Sequence, residues 1–408
     1  MNDEELAGAN VAEVEFFPLA PDDELEALKE IIGEREVDVR AIGDAGYFIT
    51  RKGPHVIAEA PWALVDFDDT AAKTTSDKKD RCWPAVEGIG VSPDLVQFCD
   101  KISRVNFGEA GVIYEPELEM RLLTRAIEMA KSGSDEGAIK LALADMRKEI
   151  VLNGAFNEHA VAEDVQGIYD ETRYTSTLYP DVAETLTRLR GGEERPINVA
   201  LLTYGDPQFQ LRKTLSLIDD NEALGSIFLT KVKKGDFFKS LLEDNPFADM
   251  PLQYTYPETE RGVGINFRDW RVMVTLFDDD PSQVASFNTF AEEQGIPGLG
   301  VVRVRREGAK RSDRDLDIPR GSAEMRPSDT YLDAEIFEQA LTRLEAIQME
   351  NFIVEALKEH HPQVLLAEPD VKDLIQAIAN RKGLSFEEAR SRILELAGVP
   401  ERTLEDFS

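Results

Sequence analysis

The sequence predicts an α/β protein, with a parallel sheet covered by helices on both faces, a long helical block inserted early and a helical tail. Three observations predict it. Short, wholly apolar runs such as "VALLT" (199–203) and "VMVTLF" (272–277) read as strands buried on both faces. Between residues 195 and 307 such runs alternate with stretches of helical period. Residues 92–190 carry helical spacing almost without a break.

Taken in order, residues 1–60 read as a small α+β N-terminal extension leaning on the rest. "PDDELEALKEII" opens on a capping Asp and spaces Leu25, Leu28 and Ile31 on one face. "VDVRAI" and "GYFITRKGPHVIAEA" follow as strand-like pieces, the second broken by Gly53-Pro54. The first core strand is the apolar run Ala63-Leu64-Val65, ending in Asp66. In the helical block, residues 73–179, "SPDLVQFCDKISRV" carries the Ser-Pro start signature. "EPELEMRLLTRAIEMAKSG" and "DEGAIKLALADMRKEIVLNG" stop at Gly133 and Gly154. The core resumes over 180–307 with "INVALLTYGD", "PQFQLRKTLSLI", "SIFLTKVKKGDFFKSLLE", "RVMVTLFDDDPSQV" and "GLGVVRVRRE". The stretch "DMPLQYTYPETERGVGINF" reads as an inserted hairpin. From 308 to 408 a charged linker leads into a helical module.

At 408 residues the chain exceeds the roughly 250–300 residues of a single core. It carries 46 basic against 79 acidic residues, a net charge of −33, which argues against nucleic acid or an anionic membrane as a partner. The closing helix pair has a helix-turn-helix outline, but with few basic residues it reads as a packing module, a homo-oligomer contact or a site for a protein partner. Two cysteines, Cys82 and Cys99, exclude a disulfide framework and are expected to be inert thiols. The four histidines form no H-x-x-x-H pair. The acidic start "MNDEELAGAN" is unlike a signal peptide, and no apolar run reaches the roughly 18 residues of a membrane span. A cytoplasmic protein is expected.

The chemistry gathers where strands end. "ALVDFDDT" places Asp66 and Asp68 after one apolar run, Thr203 closes a second, and Asp278-Asp279-Asp280 close a third. Lys231, Lys233 and Lys234 lie between the last two. Open parallel sheets bind ligands beyond the carboxyl ends of their strands. Side by side there, these residues make a carboxylate cup with a hydroxyl and an ammonium, which suits a hard cation such as Mg²⁺ plus a phosphoryl group. Residues two apart on an extended strand end point the same way, so Asp66 and Asp68 address one phosphorus. One would act as nucleophile and the other as proton carrier.

These motifs resemble those of the haloacid dehalogenase (HAD) superfamily, most of whose members are Mg²⁺-dependent phosphatases. Asp66-x-Asp68-x-Thr70 is similar to its first motif, Thr203 to the second, a lysine of "KVKKGDFF" to the third and "LFDDDPSQV" to the fourth. The resemblance spans residues 61–72 and 180–307 and implies a Rossmann-like core. Residues 73–179 then stand where the family inserts an all-helical cap that selects substrate. It further implies Asp66 as nucleophile and metal ligand, and Asp68 as general acid/base with its carbonyl facing the metal. Thr203 and Lys234, with Lys233 as the alternative, would hold phosphoryl oxygens, and Asp279 with Asp278 would complete the Mg²⁺ site. Family members that dehalogenate generally lack the second Asp, so Asp68 favours phosphoryl chemistry on a small phosphorylated substrate. Ala71 and Gln283 depart from the family pattern. A phosphotransferase or mutase of the same fold, or a non-catalytic scaffold, are the alternatives. In the cap, Arg81, Lys101, Arg104, His159 and Arg173 are candidates for a second anionic group, against a solvated role for each.

Overall fold

A computed structural model describes residues 21–53, 55–57, 62–106, 112–153, 159–175, 177–180, 182, 198–220, 224–244, 246–247, 250, 252–253, 274–294, 299–304, 323–325, 346, 349–350, 352–354, 356–358 and 360–399. Its centre is an eight-stranded sheet. The strands are β1 (Val37–Ile42), β2 (Gly46–Arg51), β4 (Trp62–Val65), β7 (Asn198–Tyr204), β8 (Ser226–Thr230), β10 (Val274–Asp278), β11 (Leu299–Val304) and β12 (Ala323–Met325), in the spatial order β1-β2-β8-β7-β4-β10-β11-β12. From β8 to β12 every neighbour pairs parallel. Strand β4 is first of these in the chain yet lies centrally, with β7 on one side and β10 on the other. That reversal of strand order makes a crevice at the carboxyl ends.

Alternation along the strands explains why the runs are apolar throughout. Ala63, Val65, Val199, Leu201, Ile227 and Leu229 face one cluster, with Leu28 and Ile32 of helix α1 (Pro21–Ile32) and Leu211, Leu215 and Ile218 of the helix Pro207–Asp220. Trp62, Leu64, Ala200, Leu202, Phe228 and Leu276 face the other, under the helices Lys234–Asp244 and Pro281–Gln294. Burying both faces leaves no polar side to pattern.

The N-terminal strands are not a separate unit: β2 pairs antiparallel with β8, so the hairpin β1–β2 extends the main sheet. Gly46 permits this, since a Cβ there would sit 2.0 Å from the Leu229 carbonyl oxygen. Two short strands, β3 (Val56–Ile57) and β9 (Leu252–Gln253), pair beside the sheet. Of the stretch read as an inserted hairpin, 249–267, all but residues 250, 252 and 253 lie outside the described residues, as does 183–197. Part of the expected linker, Ala323–Met325, pairs with β11. Edge pairing through backbone groups needs no apolar run, so that strand left no mark in the sequence.

The inserted block has its own core, with Cys82, Leu95, Phe98, Cys99, Leu122 and Tyr169 buried together. Its helices begin with Thr74–Asp77, Lys78–Cys82 (a π turn) and Trp83–Gly88. They continue with Pro93–Ile102, Pro116–Lys131, Glu136–Asn153 and Glu163–Thr172. It is not all helix: β5 (Arg104–Asn106) and β6 (Val112–Tyr114) pair antiparallel. The β-branched residues Val105, Val112 and Ile113 favour such strands. The two chain crossings into the block run side by side. Ala72 bridges Leu178, Lys73 N donates to Thr177 O at 3.0 Å, and Tyr179 N donates to Ala71 O at 2.9 Å. Ala71 is fully buried in this crossing.

The tail packs helices Pro362–Ala367, Pro369–Lys382 and Phe386–Leu396 around Ile353, Ile375, Ile378 and Ile393. Gly383 ends the second in the left-handed conformation, and Ser385 with Glu388 forms a capping box on the third. No described helix is long and apolar enough to cross a membrane.

Candidate active site

Where β4 ends, the backbone turns sharply. Asp66 N still donates to Phe277 O of the neighbouring strand at 2.8 Å, and Ala71 N returns to Asp66 O at 3.1 Å. Asp69 has φ of 59°, a left-handed conformation that Asp tolerates better than most residues. Its carboxylate accepts from Thr75 N at 2.9 Å and Thr74 Oγ1 at 3.2 Å, which fixes the loop at the start of the inserted block. Thr70 ties this loop to the end of β10. Its hydroxyl donates to Asp279 Oδ1 and accepts from Asp279 N, each at 3.0 Å.

Three segments meet here. Lys234 Nζ is 2.5 Å from Asp66 Oδ1 and 2.5 Å from Asp278 Oδ2, and its side chain is fully buried. One carboxylate oxygen from each of Asp66, Asp278 and Asp279 falls within a 4.8 Å cluster. Asp278 is held in turn by the amide of Asp280, donating to Oδ1 at 2.8 Å. Three carboxylates around one ammonium leave an excess of negative charge out of water. Burial pushes the Asp66 carboxyl well above its ordinary range, Lys234 pulls it down, and Asp278, Asp279 and Asp68 push it up again. Asp279 is pushed up to about 8 by burial and by Asp278 and Asp69. For Lys234, burial alone would favour the neutral amine, but Asp278 and Asp66 raise it above the usual range.

Lys234 is positioned by its own helix start. Its amide donates to Gln283 Oε1 at 3.0 Å, and Gly235 N donates to Ser286 Oγ at 3.2 Å. A Cβ at Gly235 would lie 2.3 Å from the Ser286 carbonyl oxygen, so only glycine lets the two helices approach this closely. Gln283 thus orients the lysine segment. Of the remaining lysines, Lys233 is exposed and Lys231 pairs with Glu24 at 2.8 Å.

Asp68 stands apart from this trio, on a polar chain. Lys213 Nζ bonds Asp68 Oδ1, Gln210 Nε2 donates to Asp68 Oδ2 at 3.2 Å, and Thr203 Oγ1 donates to Gln210 Oε1 at 3.0 Å. Lys213 is 2% exposed. Burial would raise Asp68, but Lys213 and the hydrogen bonds from Lys213 and Gln210 hold it below the ordinary carboxylate range. The Thr203 hydroxyl proton is therefore committed to Gln210. Neither Gln210 nor Lys213 stood out in the sequence. The available signal was a polar pair three apart on the otherwise apolar face of the helix after "VALLT", at the ligand-binding end of the sheet.

The candidates in the inserted block separate clearly. Arg81 donates to the carbonyls of Thr175 and Glu171 at 3.1 and 2.9 Å. Lys101 is exposed, Arg104 pairs loosely with Asp100 at 3.9 Å, and His159 lies 3.9 Å from Glu149. Arg173 alone turns inward, over the rings of Tyr114 at 5.4 Å and Phe209 at 5.6 Å. Cys82 and Cys99 are buried free thiols, both raised mainly by burial.

No protein-family model matches the sequence, and no curated protein matches it. Among solved structures, the chain is similar to a 2-haloacid dehalogenase from Pseudomonas syringae pv. tomato, with 14% identity over 70% of this chain and 99% of that one and a TM-score of 0.35. It is also similar to a magnesium-bound HAD hydrolase from Bacillus subtilis (10% identity, 65% and 94% covered, TM-score 0.32). A third is an L-2-haloacid dehalogenase from Xanthobacter autotrophicus (14% identity, 61% and 78% covered, TM-score 0.30). At these TM-scores the likenesses decide nothing about the chemistry.

Proposed function

We propose that the chain is a HAD-like, Mg²⁺-dependent phosphohydrolase that cleaves a phosphate monoester through an aspartyl-phosphate on Asp66. The observation that carries the proposal is the contact of one buried lysine with carboxylates from two adjacent strand ends, inside a three-carboxylate cluster. The donor set fits a hard dication. It is all oxygen, and with all three carboxylates ionised, as a bound dication would keep them, one ammonium leaves a surplus of two negative charges. Asp66, Asp278 and Asp279 would hold the ion, with the Asp68 carbonyl expected to face it. Bound there, it would neutralise charge on the phosphoryl oxygens.

The residues then divide the work. An Asp66 Oδ forms a bond to phosphorus while the ester P–O bond breaks, and the leaving oxygen needs a proton. Asp68 with the Lys213 ammonium on its Oδ1 is the proton source at that point. The pair, then one proton short, takes a proton from the water that attacks phosphorus, and inorganic phosphate leaves with Asp66 restored. Lys234 stabilises phosphoryl charge beside Asp66. Thr203 donates to Gln210 and so orients the amide that holds Asp68. The helical block covers the site, excludes water and selects substrate.

The test is turnover of p-nitrophenyl phosphate with Mg²⁺, beside Asp66→Asn and an EDTA control. Activity abolished by both is expected. No turnover across a broad panel of phosphate esters would point to a binding protein of this fold. Transfer to an added alcohol in preference to water would point to a phosphotransferase.

A further inference from the structure

Arg173, the residue closing the helix Glu163–Thr172, is 8% exposed, and although the nearby Glu119 carboxylate favours its charge, no described side chain bonds it directly. Its Nε is buried with no hydrogen-bond partner, and among the described residues its side chain makes no hydrogen bond or ion pair. Buried guanidinium groups are ordinarily paired, because leaving one unpaired forfeits its hydration for nothing. Glu119, whose charge it feels, is already taken by the Tyr114 hydroxyl and by Lys78 at 3.3 Å. Two rings flank the guanidinium, Tyr114 from the inserted block and Phe209 from the core. The ring of Phe209 also carries Lys213 Nζ at 4.9 Å, and Lys213 holds Asp68. A guanidinium without a hydrogen bond thus shares one aromatic ring with the lysine that holds Asp68, at the junction of core and cap.

We propose that Arg173 binds a second anionic group on the alcohol side of the substrate, so that the substrate class is a phosphate monoester with a carboxylate or a second phosphate at its far end. This rests on the phosphohydrolase reading above. Both anions present the paired oxygens that a guanidinium fork matches. With Tyr114 and Phe209 against the group, its N–H donors remain for that anion, in surroundings that strengthen each bond.

The test is isothermal titration of the full chain in Mg²⁺ with ω-carboxyalkylphosphonates and α,ω-bisphosphonates of increasing length, each beside the alkylphosphonate of equal length. At least one two-ended ligand should bind about tenfold or more tighter than its control. The arm in which it appears identifies carboxylate or phosphate. R173Q should erase that preference while leaving alkylphosphonate binding within about threefold of wild type. Should circular dichroism show R173Q to be unfolded, R173K serves instead: it keeps the charge without the fork, and its loss should be confined to two-ended ligands. A wild type with no preference at any length, or a variant that weakens both ligand types equally, overturns the inference. Failure of the underlying chemistry reads differently, as no phosphonate binding and no Asp66-dependent turnover of any ester.

Discussion

Replacing Lys234 with methionine removes one charge from a site that cannot easily do without it. The ammonium lies 2.5 Å from two carboxylates whose side chains are 10% and 1% exposed. At an effective dielectric of about 20, each such contact attracts by roughly 7 kcal/mol. Dehydrating three ions offsets most of that, so the intact group contributes little net stability. Truncation is different, because the carboxylates stay buried after their partner has gone, and breaking a buried pair this way costs about 3–5 kcal/mol. Spread over a core of this size, that lowers the melting temperature by roughly 10 °C. The assay is thermal unfolding of wild type and Lys234→Met, each in EDTA and in Mg²⁺. The gap should be full in EDTA and fall below about half in Mg²⁺, since a bound dication supplies charge to the same carboxylates. A gap under about 2 °C in EDTA, or an equal gap in both buffers, would refute the shared-charge reasoning.

The other expectations concern neighbouring elements. Lys213→Met frees Asp68 from the cation that lowers it, so the pH–rate profile for p-nitrophenyl phosphate should move toward higher pH and kcat should fall by about 10²-fold. An unmoved profile counts against the Asp68–Lys213 pair as proton carrier. Asp206 caps the helix Pro207–Asp220 through Phe209 N at 2.7 Å, and burial, with Glu24 and Glu117, pushes its carboxyl up to about 6. A raised acid binds its proton more tightly in the folded state, so its contribution is intact below the unfolded value near 3.8 and is lost as pH rises through about 6. Asp206→Asn keeps a capping side chain and should therefore be more stable than wild type at pH 8 by up to about 3 kcal/mol, the difference closing below pH 4 in urea titrations. Gly235→Ala puts a carbon 2.3 Å from a backbone oxygen and should cost about 1–3 kcal/mol by overpacking, with a loss of turnover larger than the loss of stability. Wild-type kinetics in that variant would mean that the helix start does not place Lys234.

What the sequence disclosed and what it withheld follow one physical division. Strands buried on both faces announce themselves, because every residue from Trp62 to Val65 or Val274 to Phe277 must satisfy an apolar neighbour. Carboxylates placed directly after them are conspicuous for the same reason; Asp66, Asp278, Asp279 and Lys234 lie together, while Asp68 and Thr203 lie on a separate polar chain. Gln210 and Lys213 were hidden because a helix tolerates polar residues anywhere on its surface, and only the sheet beneath decides which surface is inside. The same ambiguity left Arg173, although named as a candidate, indistinguishable from Arg81 and Arg104 on the solvent side. Hairpin β5–β6 and edge strand β12 are three residues a strand, too short for a period to show.

The placement of the cations also answers a problem set by composition. A chain of net charge −33 repels a phosphate dianion at long range, and that field persists to about one Debye length, near 8 Å at physiological salt. Surface lysines cannot reverse it cheaply in so acidic a neighbourhood: Lys231 is drawn to Glu24 and Lys233 faces water. Cations in a low dielectric act at short range with far greater strength, and Lys234, Lys213 and Arg173 are 0%, 2% and 8% exposed. Each buried cation then requires a buried anion in the resting protein. Lys234 has Asp66 and Asp278, and Lys213 has Asp68. Arg173 lacks an ion-pair partner among the described residues, so an anion arriving there displaces no carboxylate, and its binding energy is not diminished by an exchange of partners.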